Sequence, residues 1–404
     1  MKKTTELLYA GRNPDRQAGA VNPAVYRAST IVFPSFKDMK EAEAGKFPNA
    51  FEEARGATTA DPWYGIAGTP TTFALQDVLK KLEKADDCLI TSSGLEAITL
   101  TLQSFLQSGD HLLMVDSVYG PTRRFCNKFL TRFGVETTYY DPTISGAGIA
   151  KLIRKNTRLI FMESPGSLTF EMQDVEAITA VAKKHLVLTA LDSSWATPLY
   201  FNPLEHGVDI CIQVPTKYIA GHSDVLLGAV LTRGDTITPL LQTYRNLGIS
   251  TSPDDCWLAL RGLRSLAARM ERHQRSTDKI IAWLEKRKEV RKILYPAHPK
   301  DPGHGLWKKY CTGAASLFTI ILDKDYTLEQ VSAILDKMEL FAIGYSWGGF
   351  ESLIISFDPA PIRTATRWQE KGTCIRLYIG LEDADDLIAD LEKGFKRLGA
   401  TVTV

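Results

Sequence analysis

Short apolar runs alternate with longer amphipathic stretches between about residues 80 and 232. This alternation is typical of a mostly parallel β-sheet covered by helices. The first sixty or so residues show no sustained period, which predicts an extended arm. The apolar runs that predict strands are Cys88–Thr91, His111–Val115, Leu159–Glu163, Leu186–Leu191, Asp209–Gln213 and Leu227–Thr232.

A second, smaller α/β unit is predicted after this sheet. The charged amphipathic stretch Cys256–Arg287 predicts a long helix that leads into it. Apolar runs at Ser316–Leu322 and Ile375–Ile379 predict two of its strands, and Ala384–Leu398 predicts its last helix. A chain of 404 residues is long enough for two domains. The predicted division is an arm, 1–66, a large domain, 67–262, and a C-terminal domain, 263–404.

Composition excludes several classes of partner. The 48 Lys and Arg residues balance 47 Asp and Glu, so a net charge of +1 gives no electrostatic basis for binding nucleic acid or an acidic membrane surface. A small molecule is the expected partner. No apolar run approaches the roughly 18 residues that span a bilayer, and the start of the chain lacks the apolar segment of a secretion signal, so we expect a cytoplasmic protein.

The cysteine and histidine spacings argue against metal binding and disulfides. The six cysteines are scattered with no CxxC pair, and the seven histidines show no HExxH spacing. We expect reduced, mostly buried cysteines and no metal site.

A lone lysine follows one of the predicted strands. Lys217 comes after the apolar run Ile210–Val214 and a few residues before the apolar run Val225–Leu231. An amine between two buried segments is desolvated, which lowers its pKa and makes it a better nucleophile toward an aldehyde. Taken alone, such a lysine is more often a surface residue in a loop.

Polar residues follow other predicted strands as well. Asp116, Glu163, Asp192 and Thr216 all fall at carboxyl ends, where open α/β sheets bind their ligands. The carboxylate of Asp192 suits a buried cation such as a pyridinium nitrogen, which it would keep protonated. A helix N-cap is an equally good interpretation of Asp192 alone.

The segment Ser93–Glu96 fits a capping box that opens an apolar helix. Gly94 allows a ligand to approach the backbone closely. The free N–H groups of Gly94 and Leu95 would form an anion site suited to a phosphate, to which Thr216 adds a hydroxyl. A capping box by itself usually only begins a helix.

Two more side chains are candidates for binding a cofactor or a substrate. Tyr119 lies just past a strand end in a Gly-Pro turn, where its ring would stack on a planar heterocycle or pack in the core. Arg376 interrupts an apolar strand of the second unit. Its guanidinium fork matches a substrate carboxylate, and a structural ion pair is the alternative.

Together these segments resemble the cysteine/methionine-metabolism branch of fold-type-I pyridoxal-phosphate enzymes. The resemblance covers nearly the whole chain and is most specific at Glu163–Ser167 and Tyr345–Leu353. It is strongest to the β-lyases that cleave cystathionine, and related γ-synthases and γ-lyases typically carry Asn-Pro where this chain has Ser167-Leu168. The other similar segments are Val21–Ser29, Tyr64–Gly65, Gly68–Thr69, Thr216–Asp224 and Gly372–Asp383.

The resemblance implies a large domain with a mostly parallel seven-stranded sheet, a smaller C-terminal α/β domain, and an arm that contacts a neighbouring subunit. It implies a homotetramer, a dimer of dimers with composite active sites. It implies pyridoxal 5′-phosphate joined to Lys217 as a Schiff base, with Lys217 as the proton carrier. The other implied roles are Asp192 at the ring nitrogen, Tyr119 as the stacking ring, Gly94, Leu95 and Thr216 at the phosphate, Tyr64 at the neighbouring subunit's phosphate, Arg376 with Ser346 on the substrate α-carboxylate, and Trp347 in the pocket wall.

One departure from the family pattern concerns charge. The family commonly has an arginine two residues after the tyrosine that matches Tyr64, and this chain has Ile66 there, followed by Ala67. A charge-assisted phosphate contact worth about 1.5–3 kcal/mol is therefore missing, which predicts weaker cofactor retention. Arg124 is the candidate that replaces this charge and holds a distant substrate carboxylate.

The implied reaction is β-elimination, in which cystathionine gives homocysteine, pyruvate and ammonia. Racemisation of an amino acid such as alanine is an alternative, with Tyr119 as a second acid, because the departure at Ile66 and Ala67 would loosen the hold on a long dicarboxylate. A γ-synthase or γ-lyase of the same family is another alternative. A catalytically idle cofactor-binding protein is the alternative from a different class, since fold alone permits it.

Overall fold

The protein is described from a computed structural model that covers residues 1–43 and 64–400. The strands are β1 Asp87–Thr91, β2 His111–Val115, β3 Glu136–Tyr140, β4 Thr157–Glu163, β5 Leu188–Asp192, β6 Ile210–Gln213, β7 Gly228–Thr232, β8 Val290–Leu294, β9 Leu317–Leu322, β10 Ala342–Ile343, β11 Leu353–Phe357 and β12 Cys374–Tyr378. The helices are α1 Lys3–Tyr9, α2 Phe36–Glu43, α3 Pro70–Glu83, α4 Gly94–Phe105, α5 Gly120–Lys128, α6 Gly146–Leu152, α7 Val175–Lys184, α8 Thr197–Tyr200, α9 Ile237–Asn246, α10 Pro253–Leu284, α11 His304–Tyr310, α12 Leu328–Leu335 and α13 Ala384–Ala400.

Seven strands form the larger sheet, in the order β1-β7-β6-β5-β4-β2-β3. Only β7 runs against the others, because both of its pairings are antiparallel and the remaining pairings are parallel. The carboxyl ends of the other six strands, β1 to β6, therefore lie at one edge of the sheet. The mostly parallel seven-stranded sheet covered by helices that was expected from the sequence is confirmed.

The six predicted strands of this sheet are present, and one further strand was missed. β3 is the missed strand: it lies at the edge of the sheet and its residues Glu136–Tyr140 are mostly half-buried or exposed, so they form no apolar run. The predicted start of β5 was two residues early, because Leu186 has a positive φ of 55° and is 94% exposed.

The C-terminal unit has a five-stranded sheet in the order β10-β11-β12-β9-β8. Two of its strands were predicted, near β9 and β12, and its last helix, α13, begins at the predicted Ala384. The predicted linking helix is the 32-residue α10, whose N-terminus is capped by the Ser252 hydroxyl. The predicted domain boundary at residue 262 falls inside this continuous helix, and the division into domains stays a prediction.

The predicted arm is not extended throughout. Helix α1 packs on α10, where Leu7 is 1% exposed and Arg264 donates hydrogen bonds to the carbonyls of Leu7 and Ala10. Helix α2 is a second helical part of the arm. The rest of the predicted arm includes residues 44–63, which lie outside the described residues.

A buried ion pair connects the two units beside the carboxyl end of β2. Arg123 Nη2 lies 2.6 Å from Asp116 Oδ1, and these side chains are 9% and 0% exposed. The same carboxylate accepts hydrogen bonds from the backbone N–H groups of Thr364, Ala365 and Thr366, which belong to the C-terminal unit. Asp116 therefore anchors a loop of one unit to a strand end of the other.

None of the helices in the described ranges is long and apolar enough to cross a membrane. All six cysteines are free and buried, as expected. In the described part of the chain, no group of three or more His, Cys, Asp or Glu side chains is placed to hold a metal ion.

We expect Arg123→Met to lower the free energy of unfolding by about 3–5 kcal/mol, because it leaves the buried carboxylate of Asp116 without its cation. Urea denaturation followed by circular dichroism measures the change. The matched control is Glu136→Gln, which removes a carboxylate from an exposed pair with Arg154 and is expected to leave the urea midpoint in place. Equal midpoints for both variants would contradict the anchoring role of Asp116.

Candidate active site

The candidate site is a cavity of about 210 Å³ at the edge where the strand ends meet. Apolar side chains form much of its wall, and two acids and two bases face it. Predicted site residues that line the cavity are Gly94, Leu95, Tyr119, Asp192, Thr216, Lys217, Trp347 and Arg376. Further lining residues are Ser93, Ile98, Glu163, Pro165, Gly166, Ser167, Leu168, Phe170, Ser194, Trp195, Val214, Leu226 and Leu317.

Lys217 is half-buried in the turn that follows β6. Burial lowers the pKa of its amine to about 8, and the positive charge of Arg376 contributes, while the carboxylate of Asp192 acts in the opposite direction. The neutral fraction of the amine near neutral pH is therefore a minority, but it is far larger than that of an ordinary lysine. The desolvated lysine expected from the sequence has the electrostatics of a nucleophile or a general base.

A loop of the C-terminal unit holds the amine of Lys217. Its Nζ donates a 2.7 Å hydrogen bond to the Ser346 hydroxyl and lies 5.1 Å from the centre of the Trp347 ring. Ser346 has a positive φ of 51°, an uncommon conformation for a residue with a side chain. Gly348, at φ 96°, is close to the lysine backbone: a Cβ there would lie 2.6 Å from the Lys217 carbonyl carbon. The loop thus fits against Lys217 without a gap.

Asp192 is the last residue of β5, and its carboxylate accepts hydrogen bonds from a nearby serine. Its Oδ1 accepts hydrogen bonds from the N–H and hydroxyl of Ser194, at 2.9 and 2.6 Å. Burial raises the pKa of Asp192, and the Ser194 bonds and the charge of Lys217 oppose this. Its neighbour in the register is Glu163 of β4, so two carboxyl groups stand side by side. This arrangement suits a cation above the carboxyl end of the sheet.

The N-terminus of α4 has the features of an anion site. Ser93 is the N-cap and accepts a 3.1 Å bond from the Glu96 N–H, as predicted. In a capping box the Glu96 side chain would also accept the Ser93 N–H. Here Glu96 Oε2 accepts the N–H and the hydroxyl of Ser92 instead. A Cβ on Gly94 would lie 2.6 Å from the Val214 side chain, so only glycine fits there.

Thr216 lines the cavity, but its hydroxyl already has partners. It donates to the Leu227 carbonyl at 3.0 Å and accepts from the Leu227 N–H at 2.8 Å. The hydroxyl therefore fastens the turn between β6 and β7. To donate a hydrogen bond to a phosphate, the Thr216 hydroxyl would have to give up its hydrogen bond to the Leu227 carbonyl.

Tyr119 lies on the wall of the cavity and not in the core, since it is 45% exposed. It is the N-cap of α5, and its backbone N–H donates a 2.8 Å bond to Glu163 Oε2. Burial raises the pKa of its phenol, and the positive charge of Arg124 acts against this shift.

Arg376 is 8% exposed on β12, and burial lowers the pKa of its guanidinium to about 10. Its Nη2 donates to the carbonyls of Ser346 and Gly344, at 3.1 and 3.4 Å. The guanidinium thus supports the loop that carries Ser346 and also faces the cavity. No carboxylate is paired with Arg376 among the ion pairs of the described residues.

Two predicted residues lie apart from this cavity. Tyr64 is 53% exposed and forms an isolated bridge with Thr30, and Arg124 is exposed on α5. Ile66, which stands where the family has an arginine, contributes to a separate small cavity with Arg245. Any role of these side chains at the site stays a prediction.

Sequence reasoning assigned no task to Ser194, Leu226 or Phe170, which also line the cavity. The contact of Ser194 with Asp192 could have been predicted, because an aspartate side chain commonly accepts a hydrogen bond from the residue two positions later. No sequence pattern indicates that Leu226 and Phe170 line the cavity, since their positions depend on how the turns fold.

In the cofactor-free protein, we expect acylation of Lys217 to reach half its maximal rate near pH 8, because the neutral amine reacts and its pKa is lowered to about 8. Pulse labelling with acetic anhydride, followed by mass spectrometry of the Lys217 peptide, measures the midpoint. Arg376→Met should move it to higher pH and Asp192→Asn to lower pH, whereas Arg376→Lys keeps the charge and serves as the control. A midpoint near the ordinary 10.5 would contradict the desolvated site.

Comparison with known proteins agrees with this geometry. The family model described as Cys/Met metabolism PLP-dependent enzyme matches residues 4–396. The chain is 42% identical to the L-alanine/L-glutamate racemase of Wolbachia pipientis wMel, over 98% of both chains. It is 38% identical to the cystathionine β-lyase MetC of Escherichia coli K12, over 98% of this chain and 99% of that protein. A crystal structure of cystathionine γ-synthase from Xanthomonas oryzae pv. oryzae superposes with a TM-score of 0.87 at 31% identity, over the whole of both chains. The chain therefore belongs to the Cys/Met-metabolism family of pyridoxal-phosphate-dependent enzymes.

Proposed function

We propose that this enzyme is a carbon–sulfur β-lyase that cleaves L-cystathionine to L-homocysteine, pyruvate and ammonia. The observation that carries the proposal is that the Lys217 amine, bonded to the Ser346 hydroxyl, lines the same cavity as Arg376, whose guanidinium has no carboxylate partner in the described ion pairs. A base beside a carboxylate-binding group is what removal of an amino-acid α-proton requires. Similarity to MetC of Escherichia coli supports cystathionine as the substrate.

The cavity fits pyridoxal phosphate. Gly94 and Leu95 would offer backbone N–H groups at the start of α4 to the phosphate, Asp192 would pair with the ring nitrogen, Tyr119 would stack on the ring, and Lys217 would bind the aldehyde. When bound, this cofactor supplies the aldehyde that takes the substrate amine and the ring that accepts electrons from the α-carbon.

Binding of the substrate starts at Arg376. Its fork holds the α-carboxylate by paired charge-assisted hydrogen bonds, which fixes the orientation of the α-carbon. The Ser346 carbonyl, bound to the same guanidinium, keeps the serine hydroxyl next to the Lys217 amine. Recognition of the carboxylate and positioning of the base therefore depend on one loop.

Lys217 moves the proton. In its neutral form it removes the α-proton and becomes an ammonium ion beside the Trp347 ring, whose face attracts a cation. The ammonium then gives its proton to the sulfur as the carbon–sulfur bond breaks, so homocysteine leaves as a thiol. Water hydrolyses the remaining three-carbon fragment to pyruvate and ammonia.

Ser167-Leu168 in the cavity wall supports β-elimination over γ chemistry, because the γ-enzymes of the family carry Asn-Pro there. The keto acid that forms distinguishes the two reactions. Cleavage of cystathionine by γ-elimination gives a four-carbon keto acid, and cleavage by β-elimination gives pyruvate.

Racemisation of alanine is a second candidate activity. The Wolbachia relative named as an alanine and glutamate racemase supports it, and so does the presence of Tyr119 and Lys217 on the same cavity. A racemase needs proton donors on both faces of the α-carbon, and the Tyr119 hydroxyl is the candidate for the second.

We also propose that the active sites are shared between subunits of a tetramer. Leu226 lines the cavity yet is 66% exposed, and Val32, Phe36 and Tyr64 of the arm are more than half exposed. A second copy that covers these apolar side chains would bring its Tyr64 to the phosphate. A sedimentation mass equal to one chain would contradict this arrangement.

The test of the main proposal is an assay of the holoenzyme with L-cystathionine, L-cystine and L-alanine side by side. We expect pyruvate and homocysteine in equal amounts from cystathionine, and no four-carbon keto acid. Lys217→Ala is expected to lose activity by at least about 10³-fold because it removes the general base, and Lys217→Arg is the control that keeps the charge without the basicity.

Three outcomes would replace the proposal. An active Lys217→Ala protein removes the assigned base. A four-carbon keto acid from cystathionine assigns γ-lyase chemistry. D-Alanine formed faster than pyruvate assigns racemisation, and Tyr119→Phe should then abolish D-alanine formation while elimination continues.

A further inference from the structure

Glu163 has a buried carboxyl group at the centre of the site. It ends β4, is 8% exposed, and lines the cavity beside Asp192 of β5. A glutamate rarely stays this buried without a task, because removing a carboxyl group from water is costly. The proposed cofactor site uses Asp192 at the ring nitrogen and gives Glu163 no role.

Besides a side-chain hydrogen bond with Ser167, the Glu163 carboxyl group makes a contact to the main chain of Tyr119. Its Oε2 accepts the Tyr119 N–H at 2.8 Å. Tyr119 is the N-cap of α5, and the first N–H groups of a helix have no intrahelical partner. Glu163 therefore satisfies a free donor at the place where the chain turns from β2 into α5.

This contact fixes a ring that has little other support. Tyr119 is 45% exposed, so packing against neighbours leaves much of its ring uncovered. The direction of a side chain depends on the backbone that bears it, and β4 supplies a rigid base for the bond from Glu163. A group supported from a strand is held more accurately than one supported by a loop alone.

We propose that Glu163 is a positioning residue, which sets the Tyr119 ring over the cavity through the Tyr119 N–H and does so as a neutral carboxylic acid. This inference rests on the stacking role proposed for Tyr119. It does not depend on which sulfur compound or amino acid is the substrate.

The neutral form follows from the pairing of the two acids. Two adjacent carboxyl groups in a buried site do not both ionise at low cost. Asp192 has two donors from Ser194 and faces the charge of Lys217, so it is the better place for the negative charge. Burial, followed by the charge of Asp192, raises the pKa of Glu163 well above its usual range. The site thus presents one negative charge to the ring nitrogen instead of two.

Three variants of the holoenzyme test this inference. Glu163→Gln keeps the oxygen acceptor and never ionises, so it copies the neutral acid. Glu163→Leu removes the acceptor at a similar volume, and Glu163→Met is a second apolar variant in case leucine impairs folding. The readouts are the dissociation constant of pyridoxal phosphate, the visible circular dichroism of the bound cofactor, the melting temperature, and kcat and KM.

We expect Glu163→Gln to bind the cofactor within about threefold of the parent protein and to keep its dichroism. Glu163→Leu and Glu163→Met should weaken cofactor binding about tenfold, the value of one aromatic stacking contact. In a double-mutant cycle with Tyr119→Ala, the second change should add nothing, because Glu163 acts through Tyr119.

Two results would overturn the inference. The first is a Glu163→Gln protein as defective as Glu163→Leu, which would mean that the negative charge is needed. The second is full additivity of Glu163→Leu and Tyr119→Ala in the cycle. Failure of the parent protein to release pyruvate would contradict the proposed β-lyase activity, and the cofactor readouts would still decide the role of Glu163.

Discussion

The parallel alignment of the strands is the constraint on which the rest of the site depends. Since β7 alone is reversed in the large sheet, the carboxyl ends of the other six strands lie at the same edge. Residues that are distant in sequence, such as Gly94, Asp192 and Lys217, then meet around a single cavity. Backbone hydrogen bonds keep the strands in register, so the spacing between these groups is set by the sheet and not by the flexible side chains.

A balance of charge keeps this cavity reactive. Two bases, Lys217 and Arg376, face two acids, Asp192 and Glu163, in a wall that is otherwise mostly apolar. Burial, followed by the charge of Arg376, lowers the pKa of Lys217, and burial raises the pKa of Glu163. Each shift moves a group toward its neutral form. Near neutral pH a minority of the Lys217 amine is therefore neutral, and the neutral acid form of Glu163 is favoured beside Asp192, which accepts hydrogen bonds from Ser194.

Much of this arrangement could be predicted from the sequence, because it depends on local patterns. Lys217, Asp192 and Gly94 each follow an apolar run that became a strand, and Ser93 is the cap that its spacing indicated. The amphipathic period likewise predicted α10. The resemblance to a known family supplied what periodicity could not, namely the cofactor and the roles of Ser346 and Trp347.

The remaining features depend on contacts between distant segments. Edge strand β3 is too polar to form a recognisable apolar run. The hydrogen bond that the Tyr119 N–H donates to Glu163 joins residues 44 positions apart. The anchor of Thr364 to Asp116 spans 248 positions. No local pattern in the sequence encodes such distances, since they arise from how the sheets and turns pack in three dimensions.

The close fit of Gly348 against Lys217 has a consequence for biosynthesis. The glycine belongs to the C-terminal unit and touches the main chain of the lysine, and Arg376 comes still later in the chain. The residues that restrain the amine are thus synthesised after the sheet that bears it. A nascent chain with only the large sheet complete would hold Lys217 without the loop that covers it and without Arg376, so the amine would lack both causes of its lowered pKa until translation has delivered the final strands.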